Sequence, residues 1–310
     1  MRRPPGPLGD VVLKVEEYRL IRELFGERIG VYFGPEARGS IERRLRERLL
    51  ARGHQSFLEY YQFLKWSPQA GDEWQAAVEL LTTHETYFFR EAYQLRAFQE
   101  EVLPIFAQRN HAERRLGIWS AGCSTGEEVY TLAMIVLESR LFEGWDVRVY
   151  GSDISRRCVA AARRGIYGPS AFRTTSDERR RAFFAPAEAA VGETPSQPPR
   201  SQEPLSVIEP VRAMCHFGQM NLLDEEKTRL VGKVDVAFCR NVLIYLDLAA
   251  RRRVIDILYD RLVGGGILLL GHSESLLNVS TAFELLHLKD DLVYKKPSVK
   301  YPNRGGSPSP

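Results

Sequence analysis

Leu116-Gly117-Ile118-Trp119-Ser120-Ala121-Gly122-Cys123-Ser124-Thr125-Gly126-Glu127-Glu128 is the stretch on which the fold turns. A short apolar run ends in a glycine-bounded loop, and helical periodicity follows from Gly126 through Arg140. The run reads as a buried strand and the loop as a strand-to-helix turn. The unit recurs downstream. Val147–Asp153 is strand-like with a helix over Cys158–Arg164, and Val234–Cys239 precedes an amphipathic helix over Leu248–Leu262. Gly266–Gly271 is a fourth strand. Strands alternating with helices predict a mostly parallel, doubly wound α/β sheet covered on both faces. Phe283–Lys289 and Leu292–Lys296 have no helix between them and predict an antiparallel hairpin at the sheet edge. The Gly122–Gly126 spacing is not the G-x-G-x-x-G dinucleotide fingerprint, which argues against a nicotinamide cofactor.

Upstream the pattern is helical. Over 11–80 there is no strand alternation. One helix carries Ile41, Leu45 and Leu49, with Ser40 as its expected N-cap and Gly53 as its stop. A second carries Phe57, Tyr60, Tyr61 and Leu64, and a third runs from Asp72 to about Leu81. Residues 1–10, 297–310 and 186–205 are rich in Pro, Gly, Ser and other polar residues and read as disordered. The last of these separates a helix over Asp177–Phe184 from an expected short strand pair within Ser206–Gln219. The chain has 310 residues, enough for two domains. A net charge of +3 offers no global field for nucleic acid. The four cysteines have no disulfide or metal-ligand spacing, so no metal is expected. No apolar run approaches a membrane span, and the N-terminus lacks a signal-peptide core, so a cytoplasmic protein is expected.

Several residues carry chemistry. Glu127 and Glu128 open a helix where a phosphate would otherwise dock. They suit a ligand with cationic groups, or they merely favour the first helical turn. Asp153 ends the second strand, the place for an acceptor of ribose hydroxyls, or it caps the next helix. Arg240 and Asn241 follow the third strand directly, where open α/β sheets bind ligands. Tyr245 lies near the same opening, or packs in the core. Between the two regions lies Leu81-Thr-Thr-His-Glu-Thr-Tyr-Phe-Phe-Arg-Glu91, whose polar run into aromatics has no simple packing rationale. Its Arg90 offers a bidentate fork for a carboxylate, or pairs with Glu91 or Glu85. Arg44, Arg48 and Arg52 form an i, i+4, i+8 ridge, which is either a solvated face or a docking surface.

The Leu81–Glu91 stretch, Ser120–Glu128, Gly151-Ser-Asp153 and Phe238-Cys-Arg-Asn-Val-Leu-Ile-Tyr245 occur in an order that resembles the CheR family of chemotaxis-receptor methyltransferases, over roughly 18–296. The resemblance implies an S-adenosylmethionine-dependent methyltransferase with a Rossmann-like sheet. A small all-helical domain (11–80) precedes the methyltransferase domain (81–296). A small antiparallel β subdomain is inserted at about 166–219. It implies methyl transfer from S-adenosyl-L-methionine to glutamate carboxylates of the cytoplasmic domain of methyl-accepting receptors, leaving S-adenosyl-L-homocysteine. Carried over by position, His84, Thr86, Arg90, Glu128, Asp153, Asn221, Leu222, Arg240 and Asn241 contact the cofactor, with Arg90 and Tyr245 as catalytic candidates. Arg44, Arg48 and Arg52 would face the receptor. His84 departs from the asparagine often found there and is expected neutral in the complex. The glycine-containing turn of members that tether a receptor C-terminal peptide is not recognisable, so no tight tail binding is expected. A same-fold enzyme acting on another substrate, or a non-catalytic cofactor-binding regulator, are the alternatives.

Overall fold

The computed structural model describes residues 11–187 and 203–298. The expected disorder of both tails and of most of 186–205 falls outside the described residues. Four helices come first: α1 (Val15–Ile29), α2 (Arg38–Ala51), α3 (Phe57–Trp66) and α4 (Gly71–Leu81). They enclose their own core, in which Ile41, Leu45, Leu49, Phe57, Tyr60, Tyr61 and Leu64 are all buried. Ser40 is not the N-cap of α2. A 3-10 turn at Pro35–Ala37 runs straight into the helix, which starts two residues earlier at Arg38. Gly53 follows the helix with φ 78°, the left-handed conformation that ends it.

The chain then forms α5 (Ala92–Ala97), a π-helical turn at Phe98–Val102 and α6 (Leu103–Arg109) before entering the sheet. The α/β units are β1 (Arg115–Ala121), α7 (Glu127–Ser139), β2 (Asp146–Asp153) and α8 (Arg156–Arg164). A small excursion follows: β3 (Ile166–Tyr167), α9 (Asp177–Phe183), β4 (Phe184–Pro186), β5 (Leu205–Val207) and α10 (Glu209–Arg212). The chain returns through β6 (Cys215–Gln219), α11 (Glu225–Thr228), β7 (Val234–Cys239), α12 (Leu248–Arg261), β8 (Leu262–Leu270), β9 (Glu284–His287) and β10 (Leu292–Lys295).

Seven strands form one sheet in the order β6-β2-β1-β7-β8-β10-β9. The first five are mutually parallel, and β10 and β9 complete the edge as the expected antiparallel hairpin. Buried on both faces, β1 sends Ile118 into one core and Trp119 into the other. The strand order reverses between β1 and β7, which creates a crevice at their carboxyl ends. β5 pairs with β3 and β4 in a separate three-stranded antiparallel sheet. The strand pair expected within 206–219 does not form. Cys215–Gln219 instead runs parallel to β2 at the edge of the large sheet, because the turn of α10 redirects the chain.

The aromatic triplet has a packing rationale after all. Phe88 is fully buried, stacked on Phe172 and met edge-on by Tyr167 and Phe184, so it anchors the inter-domain segment to the small sheet.

Candidate active site

The loop after β1 is shaped by close approach. Gly122 has φ 88°, and a Cβ there would sit 2.4 Å from Val242 Cγ2 in the loop after β7. Glycine thus lets the two loops of the crevice meet. The loop after β1 is also tied to the end of β2: Gly122 N and Cys123 N donate to Ser152 O at 2.8 and 2.9 Å.

Asp153 is 7% exposed, and its two oxygens accept from Ser124 N at 2.7 Å and Ser155 N at 2.9 Å. The cap of α8 is Ser155, whose side chain accepts from Cys158 N. Asp153 is therefore not the cap, and it lines the crevice instead. Burial pushes its carboxyl above the ordinary aspartate value, against the pull of those two N–H groups and of His84. The adjacent glutamates divide. Glu127 turns away, accepts from Thr125 Oγ1 at 2.6 Å, and is raised by burial. Glu128 faces the crevice, oriented by Ser120 Oγ at 2.7 Å and Arg240 Nη1 at 3.0 Å.

Arg240 is the hub. Its side chain is 3% exposed, and it donates to Glu128 and, through Nη2, to Arg90 O at 2.7 Å. It also forms an ion pair with Glu91 at 3.1 Å, while its Nε has no hydrogen-bond partner. Arg90 keeps more freedom. Its side chain is 29% exposed, donates to Glu85 O at 3.2 Å, and is 3.8 Å from Glu91. The segment that carries it is pinned by Ser124 Oγ donating to His84 O and by Phe89 N donating to Thr131 Oγ1. Phe89 and Glu91 flank Arg90 at φ 57° and 59°, a conformation that non-glycine residues adopt at a cost.

His84, Thr86, Arg90, Glu128, Asp153, Asn221, Leu222, Arg240, Asn241 and Tyr245 all line one cavity of about 330 Å³. Tyr245 is 39% exposed at its mouth, not a core tyrosine. The Asn221 side chain serves the wall: Nδ2 donates to Arg28 O at 2.7 Å and Oδ1 accepts from Leu223 N at 3.1 Å. Sequence reading missed one wall entirely. Val31, Tyr32 and Phe33 cross from the helical domain and close the cavity, with Tyr32 N bonded to Tyr245 O and Asp247 N to Gly30 O. A non-periodic linker gives no local signal of such a contact.

The acid-lined polar wall, with Glu128 and Asp153, faces an apolar wall that includes Leu222, Leu223 and Val254. Those carboxylate acceptors fit a cationic sulfonium nucleoside. Among the described residues, donor atoms of His84, Asp153 and Cys158 also lie within 4.8 Å of one another, a metal-capable trio that sequence spacing does not suggest.

The arginine ridge is placed differently from the expectation of a free face. Arg48 Nε and Nη2 grip Glu73 at 3.0 and 2.5 Å, and Arg52 Nε reaches the same carboxylate at 2.8 Å. Tyr60 OH adds a fourth bond at 2.8 Å, and the Glu73 side chain is completely buried. Burial pushes the Glu73 carboxyl up, but bonds from Arg48, Arg52 and Tyr60 outweigh it and hold it below its ordinary value. Arg44 donates to Leu80 O and is exposed.

Two family profiles cover the chain. The one described as CheR methyltransferase, all-alpha domain, matches residues 16–82, and the one described as CheR methyltransferase, SAM binding domain, matches 84–291. Chemotaxis protein methyltransferase 2 of Vibrio cholerae is 31% identical over 94% of this chain and 96% of its own length. The chemotaxis protein methyltransferase of Salmonella typhimurium is 32% identical, covering 89% of each chain. That of Vibrio parahaemolyticus is 35% identical over 71% of this chain and 75% of its own.

Proposed function

The chain belongs to the CheR methyltransferase family of S-adenosylmethionine-binding enzymes, and we propose that it methylates side-chain carboxylates of glutamates in the cytoplasmic domain of a chemotaxis receptor. The observation that carries this reading is convergence: ten residues from five separate stretches of sequence line one cavity at the switch point of the sheet. The relatives' names place them in chemotaxis.

Bound S-adenosylmethionine supplies a methyl group on a positively charged sulfur. The chain's residues supply placement and field. Asp153 accepts hydrogen bonds from the ribose, and Glu128 provides negative charge for the cationic end. Arg240 fixes Glu128 and, through the Arg90 carbonyl, the backbone of the segment opposite. A glutamate substrate is already ionised at neutral pH and needs no general base. Arg90 holds that carboxylate in line with the methyl carbon, with Tyr245 offering a hydroxyl at the mouth. Alignment and exclusion of water then lower the barrier. The protein works in the cytoplasm; no helix among the described residues is long and apolar enough to cross a membrane.

A receptor tail finds little edge here. In the small sheet, β3 is two residues long with Tyr167 buried, and β4 ends in Pro186, which has no N–H to donate. Among the described residues of the small sheet no long edge is open to a tail, and the recognition surface proposed here is the helical domain.

The test incubates the protein with methyl-labelled S-adenosylmethionine and chemoreceptor-containing membranes. Base-labile label on the receptor is the expected result. Binding of the cofactor without any transfer would point to a regulator, and label appearing only on other acceptors would point to a different substrate.

A further inference from the structure

Glu274 gathers four backbone N–H groups on one carboxylate. Oε2 accepts from Asn241 N and Gly271 N, each at 2.8 Å, and Oε1 accepts from Val242 N at 2.9 Å and Ile244 N at 3.2 Å. Three of the donors lie in the loop after β7 and one begins the loop after β8. None of the four has another way into the sheet ladder, since each lies beyond the end of its strand. An ionised acceptor is the strongest partner such groups can find.

The loop it holds is the one that carries the chemistry. Arg240 and Asn241 begin it, Tyr245 ends it, and Asn241 sits at φ 58°, a conformation that needs holding. The fit is close on the other side as well. A Cβ on Gly271 would lie 2.8 Å from Asn241 N and 2.8 Å from Glu274 Oε2. Glu274 is far from the loop in sequence and does not itself line the cofactor cavity.

We propose that Glu274 is a positioning residue for methyl transfer, setting the backbone of the Arg240–Tyr245 loop and hence the places of Arg240, Asn241 and Tyr245. A shift of that backbone moves Arg240, and with it Glu128 and the Arg90 carbonyl, so one carboxylate sets both sides of the site.

The proposal rests on the methyl-transfer reading above, and two variants with two readouts test it. Glu274→Gln keeps the shape but turns an amide group toward two of the four N–H donors. Gly271→Ala leaves the carboxylate and crowds the same loop. In both, amide hydrogen exchange should quicken at residues 241–244 and 271 and stay unchanged in the helical domain. Turnover at saturating cofactor and receptor should fall about 10²-fold, the scale for a reacting group misplaced by about 1 Å, while KM changes less. Unchanged exchange at those amides, or turnover within about twofold of wild type, overturns the proposal. Should Glu274→Gln fail to fold, Gly271→Ala decides alone. Wild-type protein that leaves receptors unlabelled would defeat the substrate reading instead. S-adenosylhomocysteine affinity then replaces turnover, and a value unchanged in both variants overturns the role of Glu274.

Discussion

Two clusters of arginine and glutamate, one in the helical domain and one at the crevice, differ in what they leave free. In the helical domain, Glu73 receives Arg48, Arg52 and Tyr60, its side chain is fully buried, and four hydrogen bonds saturate its carboxylate. At the crevice, Arg240 is nearly as deeply buried, yet its Nε lacks a partner among the described residues, and the neighbouring Arg90 is held by a backbone carbonyl, a long ion pair and the face of the Tyr87 ring. The first cluster is saturated and serves the fold. The second keeps unfilled capacity on residues that line the cavity, where the proposed ligand would bind. Composition cannot separate the two, because both read as arginines near acids. The partners separate them.

The largest effect should come from breaking the saturated cluster. Arg48→Glu sets a second carboxylate against buried Glu73, and the helical domain is expected to lose its fold. Glu73→Ala is milder, since both guanidinium groups can turn toward water, and should cost about 3 kcal/mol, the lower end for a broken buried pair. The pH dependence has a definite sign. The folded-state pKa of Glu73 is lowered, so its contribution is complete above the ordinary glutamate value and is lost as pH falls through the lowered one. Thermal melts of wild type and Glu73→Ala should therefore differ at neutral pH and converge in acid. Coincident melting curves of the two proteins at every pH would place Glu73 outside the domain's stability.

Breaking the open cluster should spare the fold and remove the chemistry. Arg90→Ala is expected to reduce turnover by about 10²-fold or more, with melting temperature nearly unchanged. Cofactor affinity tells which carboxylate Arg90 holds. It survives if the arginine serves the substrate and falls with turnover if it serves the cofactor's own carboxylate. Arg90→Lys should not restore full activity, because an ammonium lacks the fork. Normal turnover of Arg90→Ala would reduce Arg90 to its ion pair with Glu91.

The contrast also shows what sequence order can and cannot reveal. The α/β units, the edge hairpin and the cavity-lining acids were legible, because periodicity and strand ends are local properties. Asp153 stands out because it ends a strand, and Arg240 because it directly follows one. What escaped was set by partners distant in sequence. Glu73 lies 25 residues from Arg48 on another helix, so the ridge looked like a free face. Glu274 reaches a loop more than 30 residues upstream. Val31–Phe33 close the cavity from another domain with no periodicity to announce it, and β6 joins the large sheet only because α10 turns the chain toward β2.

A smaller effect should come from Asp153. Asp153→Ala removes an acceptor for the ribose and should weaken S-adenosylhomocysteine binding by about 1.5–3 kcal/mol, the range for hydrogen bonds to a charged group. Its raised pKa adds a pH signature. Hydroxyl donors favour the ionised form, so affinity should begin to drop as pH falls at values above those of an ordinary aspartate. Titration calorimetry from neutral to mildly acidic pH reads both effects. An affinity that is flat with pH and insensitive to the substitution would remove Asp153 from the cofactor site.

The smallest effect belongs to Arg44, and it is the one that tests whether the helical domain has any function beyond folding. Of the three ridge arginines, Arg48 and Arg52 are tied to Glu73, whereas Arg44 is exposed and, among the described residues, bonds the Leu80 carbonyl alone. It is the ridge position at which charge can be reversed without disturbing the saturated cluster. A single exposed pair with an acidic receptor helix is worth about 0.2–1 kcal/mol, so Arg44→Glu should lower kcat/KM for receptor by up to about fivefold. Cofactor affinity and melting temperature should stay put. Added salt should shrink the difference between variant and wild type, because charges separated by more than about 8–10 Å are screened at physiological ionic strength. If the two proteins methylate receptor equally well at low salt, the ridge contributes only to the fold, and the face that meets the receptor must be sought nearer the cavity mouth around Tyr245.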